Sequence, residues 1–162
     1  MRISLRDANS RDLDFLLELN NAVVPAVNEL DGDAVGWFLT HAPYARLAEL
    51  DATPAGFLFG LTHENDYASA NFAWFRERFP EFVYVDRVAV AEPARRAGVA
   101  RALYDDFMRH AGGRSRVVCE VNIRPRNERS LRFHARLGFE QVGTREDGHT
   151  GKRLAMLSRA LP

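Results

Sequence analysis

The sequence predicts one mixed α/β domain spanning residues 1–162, in which helices flank a central sheet. Three observations carry that prediction. Apolar residues switch between strand-like and helix-like spacing along the chain, in the order β-α-α-β-β-(insert)-β-α-β-α-β-β. No internal repeat, low-complexity run or interdomain linker interrupts it, and 162 residues suit a single domain. The composition, 46% hydrophobic and 27% charged, is that of a chain able to bury a substantial core.

Each element has its own signal. Ile3 and Leu5 alternate with polar neighbours and read as a first strand. Ser10 is the expected N-cap of a helix with Asp12 and Asp14 in its first turn, Leu13, Leu16, Leu17 and Val24 on one face, and Pro25 at its end. A second helix is expected over 33–41. Residues 44–50 and 55–62 read as a hairpin around Asp51-Ala52-Thr53-Pro54. Residues 63–80 are less regular and unusually aromatic. Phe82 to Val90 is a nearly continuous apolar strand, interrupted by Asp86 and Arg87 and closed by Pro93. Val99, Leu103 and Phe107 then follow helical spacing up to Gly112-Gly113. A strand is expected over 117–121. A helix follows over 127–137, with Asn127 as N-cap and Gly138 at its C-terminal turn. The last two strands, 139–145 and 153–161, form a hairpin across Asp147-Gly148.

Charge and cysteine content exclude several function classes. Lys plus Arg and Asp plus Glu number 22 each, so no global field draws the chain to nucleic acid or to an anionic membrane. An anion must be caught by a local site. The arginines at 95, 96 and 101, and those at 124, 126 and 129, flank a loop and a helix start rather than forming a basic face for nucleic acid. Cys119 is the only cysteine and lies in an apolar run, which reads as a buried core thiol with no disulfide. No cysteine pair or histidine cluster has metal-ligand spacing, so no metal is expected. No apolar run approaches the roughly 20 residues of a membrane span. Residues 1–7 alternate like a strand and lack a signal-peptide apolar region, so a cytoplasmic location is expected.

The strongest chemical signal is Arg95-Arg96-Ala97-Gly98-Val99-Ala100-Arg101, which follows a buried strand and opens a helix. A helix start offers free backbone N–H groups and the positive end of the helix dipole to a phosphate. Gly98 and Ala100 keep side chains short, and the arginines add local positive charge. The structural alternative is a tight strand-to-helix turn with solvated arginines, and the loop alone divides the two readings evenly. It is not a Walker P-loop, since Gly-Lys-Ser/Thr is missing, and its glycine pattern is not a dinucleotide fingerprint.

The loop resembles the acyl-CoA pyrophosphate loop of the GNAT N-acetyltransferase superfamily, with Arg95, Gly98 and Ala100 at the patterned positions. The strand before it, Val83 to Val90, resembles that family's fourth strand. A second block, Asn127 to Phe139, resembles its Asn…(Phe)-Tyr-x-x-x-Gly-Phe helix, with Phe133-His134 standing at Phe-Tyr. Two motifs in order, one strand apart, are more specific than either alone, and the preceding elements also fit. The resemblance implies a central, mixed, mostly antiparallel sheet and a chain that moves an acetyl group from acetyl-CoA to a primary amine of a small molecule or peptide, by direct attack in a ternary complex. It implies a CoA site formed by Val88, Ala89 and Val90, by Arg95, Arg96, Ala97, Gly98, Val99, Ala100 and Arg101, and by Asn127, Ser130, Phe133 and His134. The backbone N–H near Val90 is the implied oxyanion donor. Homodimers are frequent in the superfamily, so the resemblance admits one without identifying an interface. The insert at 66–75 resembles a subgroup of predicted bacterial acetyltransferases.

The chemistry needs a base, or a water chain leading to one, because alkyl amines titrate near about 10.4, and is helped by an acid for the departing thiolate. His134 holds the acid position, on one helix face with Asn127 and Ser130. Its structural alternative is a partly exposed helix histidine, and that of Asn127 is a cap. Glu120 and Asp86 are the candidate bases, each odd in an apolar strand, where a carboxylate needs a partner. The alternative for both is an ion pair, with Arg87 or Arg116. The acceptor end is expected from the first two helices and the insert, with Trp37, Phe38, Tyr67, Phe72, Trp74 and Phe75 as candidate walls and Asn65, Asp66 and Asn71 as candidate polar contacts. Aromatics at such density are more often core than ligand cage. A non-catalytic acyl-CoA-binding regulatory module on the same fold is the alternative function, and His134 in place of Tyr favours it.

Overall fold

A computed structural model describes residues 1–162. It shows seven strands and five helices, with the strands hydrogen-bonded in the order β1-β2-β3-β4-β5-β7-β6. β1 with β2, β2 with β3, β5 with β7 and β6 with β7 pair antiparallel, whereas β4 and β5 run parallel, with Val83 opposite Val117 and Tyr84 opposite Val118. The expected element order holds. The chain groups into two compact units, residues 1–61 with 85–112 and residues 62–84 with 113–162.

The first unit holds β1 (Ile3–Asp7), α1 (Leu13–Ala22), α2 (Gly32–His41), β2 (Tyr44–Leu50), most of β3 (Thr53–Thr62), most of β4 (Val83–Val90) and α4 (Val99–Arg109). The β2–β3 turn is tighter than the sequence suggests. Asp51 and Ala52, with φ of 50° and 67°, make the whole turn, and Thr53 and Pro54 already belong to β3. Pro54 sits beside the register shift at Ala48/Glu49, where a missing N–H costs little.

The α1 cap lies one residue earlier than expected. Asn9, not Ser10, caps a 3-10 turn over Ser10–Asp12, and the Asp12 carboxylate reaches back to the Asn9 N–H in a capping box. Asp12 also takes both terminal nitrogens of Arg6 at 2.8 Å, and this pairing holds its carboxyl below the usual range. The helix ends at Ala22, so Val24 lies outside it and is 43% exposed; Leu19 and Asn20 join Leu16 on the buried face instead. In α2, Asp31 caps the Ala34 N–H and Phe38 stacks on Phe59 at 4.9 Å. The apolar face of α4 buries Val99, Leu103, Tyr104 and Phe107. Phe107 fills the space a side chain on Gly60 would need.

The second unit holds α3 (Ala70–Arg76), the start of β4, β5 (Arg116–Arg124), α5 (Glu128–Arg136), β6 (Glu140–Glu146) and β7 (Arg153–Ala160). The segment read as irregular contains α3, capped by Ser69 accepting from the Phe72 N–H. Phe72 and Phe75 are fully buried against Phe82 and Tyr84, so they are core and not an exposed wall. Trp74 is half-buried. Its ring lies 2.6 Å from where a Cβ on Gly143 would stand, and the Arg78 guanidinium is 3.8 Å from its centroid. Cys119 is buried, as its apolar run predicts. No helix is long and apolar enough to cross a membrane.

Candidate active site

At the end of β4 the chain makes a 3-10 turn over Glu92–Ala94, then a loop that opens α4. Val88, Ala89 and Val90 alternate in burial, with only Ala89 fully buried. The loop carries two left-handed residues, Arg96 at φ 70° and Gly98 at φ 87°, on either side of Ala97. Gly98 is the α4 N-cap and makes no side-chain capping bond, so the N–H groups of the first turn meet no side chain of the cap residue. The positive end of an 11-residue helix is therefore presented there together with Arg95 and Arg96. Arg95 supplies the test of fit. Its Nε is buried and has no partner within the chain, an orphan donor that a phosphate oxygen would satisfy. Gly56 marks a close approach behind the loop, since a Cβ there would lie 2.8 Å from the Ala89 carbonyl and 3.2 Å from Val99 Cγ1. Arg101 is exposed and faces Asp105 at 3.5 Å. These residues fit a pyrophosphate.

Asp86, also in the first unit, has a side chain only 4% exposed, and the Arg87 Nε donates to it at 2.7 Å. Arg87 Nη1 donates in turn to the Asn20 side chain at 2.9 Å and to the Asn28 carbonyl at 3.0 Å. The ion pair weighed for Asp86 is thus present. It belongs to a network that fastens the chain between α1 and α2.

The other catalytic candidates stand in the second unit. Asn127 caps α5 by accepting from the Ser130 N–H at 3.2 Å. Ser130 and His134 are neighbours on the helix, with the Ser130 Oγ 3.3 Å from His134 Nδ1. His134 Nδ1 lies 2.7 Å from the Ser130 carbonyl oxygen, which can only accept, so Nδ1 carries the proton. The residue is 3% exposed, edge-on to Phe133 and Phe139, so the alternative of a partly exposed helix histidine does not hold. Burial lowers its pKa, against a smaller opposing effect of the Ser130 carbonyl. At neutral pH the ring is therefore neutral, with Nε2 an acceptor rather than an acid.

Glu120 on β5 is half-buried between buried Cys119 and Val121. The Tyr84 hydroxyl lies 2.8 and 2.9 Å from its two carboxylate oxygens, and the Asn71 Nδ2 donates to Oε1 at 3.1 Å. Arg145 Nη1 donates to Asn71 Oδ1 at 2.8 Å. Arg116, the ion-pair partner proposed from sequence, stacks on Phe79 at 3.9 Å and donates to Ser158 at 3.2 Å. Sequence reasoning missed Tyr84 and Arg145. A signal for Tyr84 existed: a tyrosine in a buried strand needs a hydroxyl partner. Parallel pairing of Tyr84 with Val118 then puts Glu120, two residues on, on the same face.

The sequence model of the Acetyltransferase (GNAT) family matches residues 9–139. The chain belongs to the GNAT acetyltransferase family. No curated protein sequence matches it. Among solved structures it is similar to the ribosomal-protein-S18-alanine N-acetyltransferase of Escherichia coli, at 12% identity and a TM-score of 0.74, over 98% of this chain and 94% of that one. It is also similar to Arabidopsis thaliana Naa50 in complex with the bisubstrate analogue CoA-Ac-MVNAL, at 16% identity and a TM-score of 0.76, over 98% and 99%. Arabidopsis thaliana NAA60 in complex with acetyl-CoA matches at 17% identity and a TM-score of 0.75, over 99% and 100%. At these identities the likeness establishes a GNAT fold, and each named ligand belongs to that relative.

Proposed function

We propose that this GNAT protein is an acetyl-CoA-dependent N-acetyltransferase whose acceptor is a primary amine of a small molecule or peptide, attacking directly in a ternary complex. The observation that carries the reading is the half-buried Glu120 carboxylate, oriented by the Tyr84 hydroxyl and the Asn71 amide. Bound acetyl-CoA would supply the activated acyl group. In this reading Arg95, the backbone of 96–101 and the α4 N-terminus hold its pyrophosphate, with Val88 to Val90 along the arm. Glu120 attracts the acceptor as an ammonium and accepts a proton from it, leaving the neutral amine that can attack. Asp86 is the weaker candidate, because Arg87 engages it directly. Asn127, Ser130, Phe133 and His134 are the further CoA residues that the family resemblance implies. His134 acts as a hydrogen-bond acceptor through Nε2 and not as a charged acid, because its ring is buried and its pKa lowered.

Peptide amino termini are the acceptors to test first, given the bisubstrate analogue bound by one relative and the alanine named for another. Release of CoA thiol that depends on an added amine, and that is lost in Glu120→Gln, is the expected result. One observation favours the second reading, an acyl-CoA-binding module without turnover: His134 stands neutral and buried where the family pattern has tyrosine. Acetyl-CoA binding without thiol release, across amines and peptides, would establish that module instead.

A further inference from the structure

Glu120 is the end of a longer chain of hydrogen bonds, and the far end is charged. Arg145, on β6, donates to Asn71 Oδ1 at 2.8 Å; Asn71, in the first turn of α3, donates from Nδ2 to Glu120 Oε1 at 3.1 Å. The two contacts fix each other. A guanidinium can only donate and a carboxylate only accept, so Asn71 satisfies both in one amide orientation. Flipping the amide would set its oxygen against Glu120 and its NH2 against Arg145. Arg145 is itself half-buried and lies 3.8 Å from Asp147, which is bound to the β6–β7 turn through the His149 N–H and the Thr150 hydroxyl.

We propose that Asn71 and Arg145 are positioning residues for Glu120: Arg145 locks the Asn71 amide so that its N–H holds and orients the Glu120 carboxylate. The proposal rests on the reading of Glu120 as the proton acceptor. The route conveys the positive charge of Arg145 to Glu120 as a polarised amide rather than as an ion pair through this link. Other groups around Glu120 are consistent with this division. Tyr84 from β4 is a titratable phenol and donates to both oxygens. Met156, opposite Glu120 on β7, is neutral. Arg116, four residues back on the same strand face, engages Phe79 and Ser158. Asp147 is the acidic group beyond Arg145.

The test is a carbon-13 NMR titration of protein labelled at glutamate Cδ, with the Glu120 signal assigned by its loss in Glu120→Gln. Asn71→Leu and Arg145→Met each remove one link, and the Glu120 midpoint is expected to rise by about one pH unit as a bond to the charged form is lost. Arg145→Lys keeps a donor and should recover part of the shift. Asn71→Asp retains a partner for Arg145, so it keeps the test open if a link-breaking variant fails to fold. It sets a second carboxylate beside Glu120, and the midpoint should rise further than in Asn71→Leu. The same variants should move the acid limb of kcat/KM for acetyl transfer to the peptide Met-Val-Asn-Ala-Leu by the same amount, with the KM for acetyl-CoA unchanged. Unchanged Glu120 midpoints in folded Asn71→Leu, Arg145→Met and Asn71→Asp overturn the positioning role even if Glu120→Gln is inactive. Full turnover by Glu120→Gln overturns the base reading beneath it, whatever the midpoints do.

Discussion

The Tyr84 hydroxyl sits almost equidistant from the two oxygens of Glu120, so it steadies the carboxylate as a whole. Tyr84→Phe removes that donor and keeps the ring that packs on Phe72 and Phe75. A bond to a charged group contributes about 1.5–3 kcal/mol to stability, so the melting temperature should fall, and kcat/KM measured below that temperature should fall about 10-fold or more as Glu120 loses its orientation. Steady-state kinetics beside a melting curve separates the two. His134 makes a different prediction, about pH. Its folded-state pKa lies below that of the unfolded chain because burial disfavours the charged ring. Below about 6.5 the unfolded chain therefore binds a proton that the folded chain refuses. This contribution is fully present above that pH and is lost as pH falls through and below it. His134→Phe, placed between Phe133 and Phe139, should flatten the dependence of unfolding free energy on pH below about 6.5. Urea titrations at several pH values would show an unchanged slope if the histidine were not the source.

At the scale of elements, conformation at the α4 entrance is set by residues that differ in how well they tolerate it. Gly98 takes a left-handed φ at no steric cost, whereas Arg96 takes one with a side chain attached. Arg96→Gly should therefore leave stability unchanged or raise it by up to about 1 kcal/mol, while weakening acetyl-CoA binding through the lost charge. Calorimetric titration with acetyl-CoA and urea unfolding read these opposite signs. Gly60 lies beneath Phe107 of α4, and Gly60→Ala should lower stability by about 1–3 kcal/mol, because the ring occupies the space of the new methyl.

The same elements show what a sequence can reveal. The β4–loop–α4 passage was legible because a closing proline, a glycine at the cap and helical spacing agree locally. Helix α3 was not. Its seven residues are too short to show a period, and its aromatics, more often core than wall at such density, do not locate a helix. The Ser69 cap was its one available sign. Val24 does not share the helical face because the helix stops at Ala22, three residues before Pro25.

For the molecule as a whole, family membership rests on a match spanning residues 9–139 and the fold on neighbours sharing 12–17% of their residues. The candidate loop and α5 were visible in the sequence as contiguous motifs. The Glu120 surroundings were only half visible, because Asn71, Tyr84 and Arg145 lie far apart in the chain and meet through strand register. With 22 acidic and 22 basic residues, the chain has no net field to gather an anion, which leaves local groups such as the Arg95 loop to do so. The central claim is amine-dependent acetyl transfer with Glu120 as proton acceptor. Its most direct test measures CoA thiol released from acetyl-CoA with a panel of free-amino-terminus peptides and small amines, for wild type and Glu120→Gln. The expected result is release that requires an amine, and a fall of about 100-fold or more in kcat for Glu120→Gln with acetyl-CoA binding retained. Equal turnover by both proteins, or acetyl-CoA binding without turnover on any amine, would contradict it.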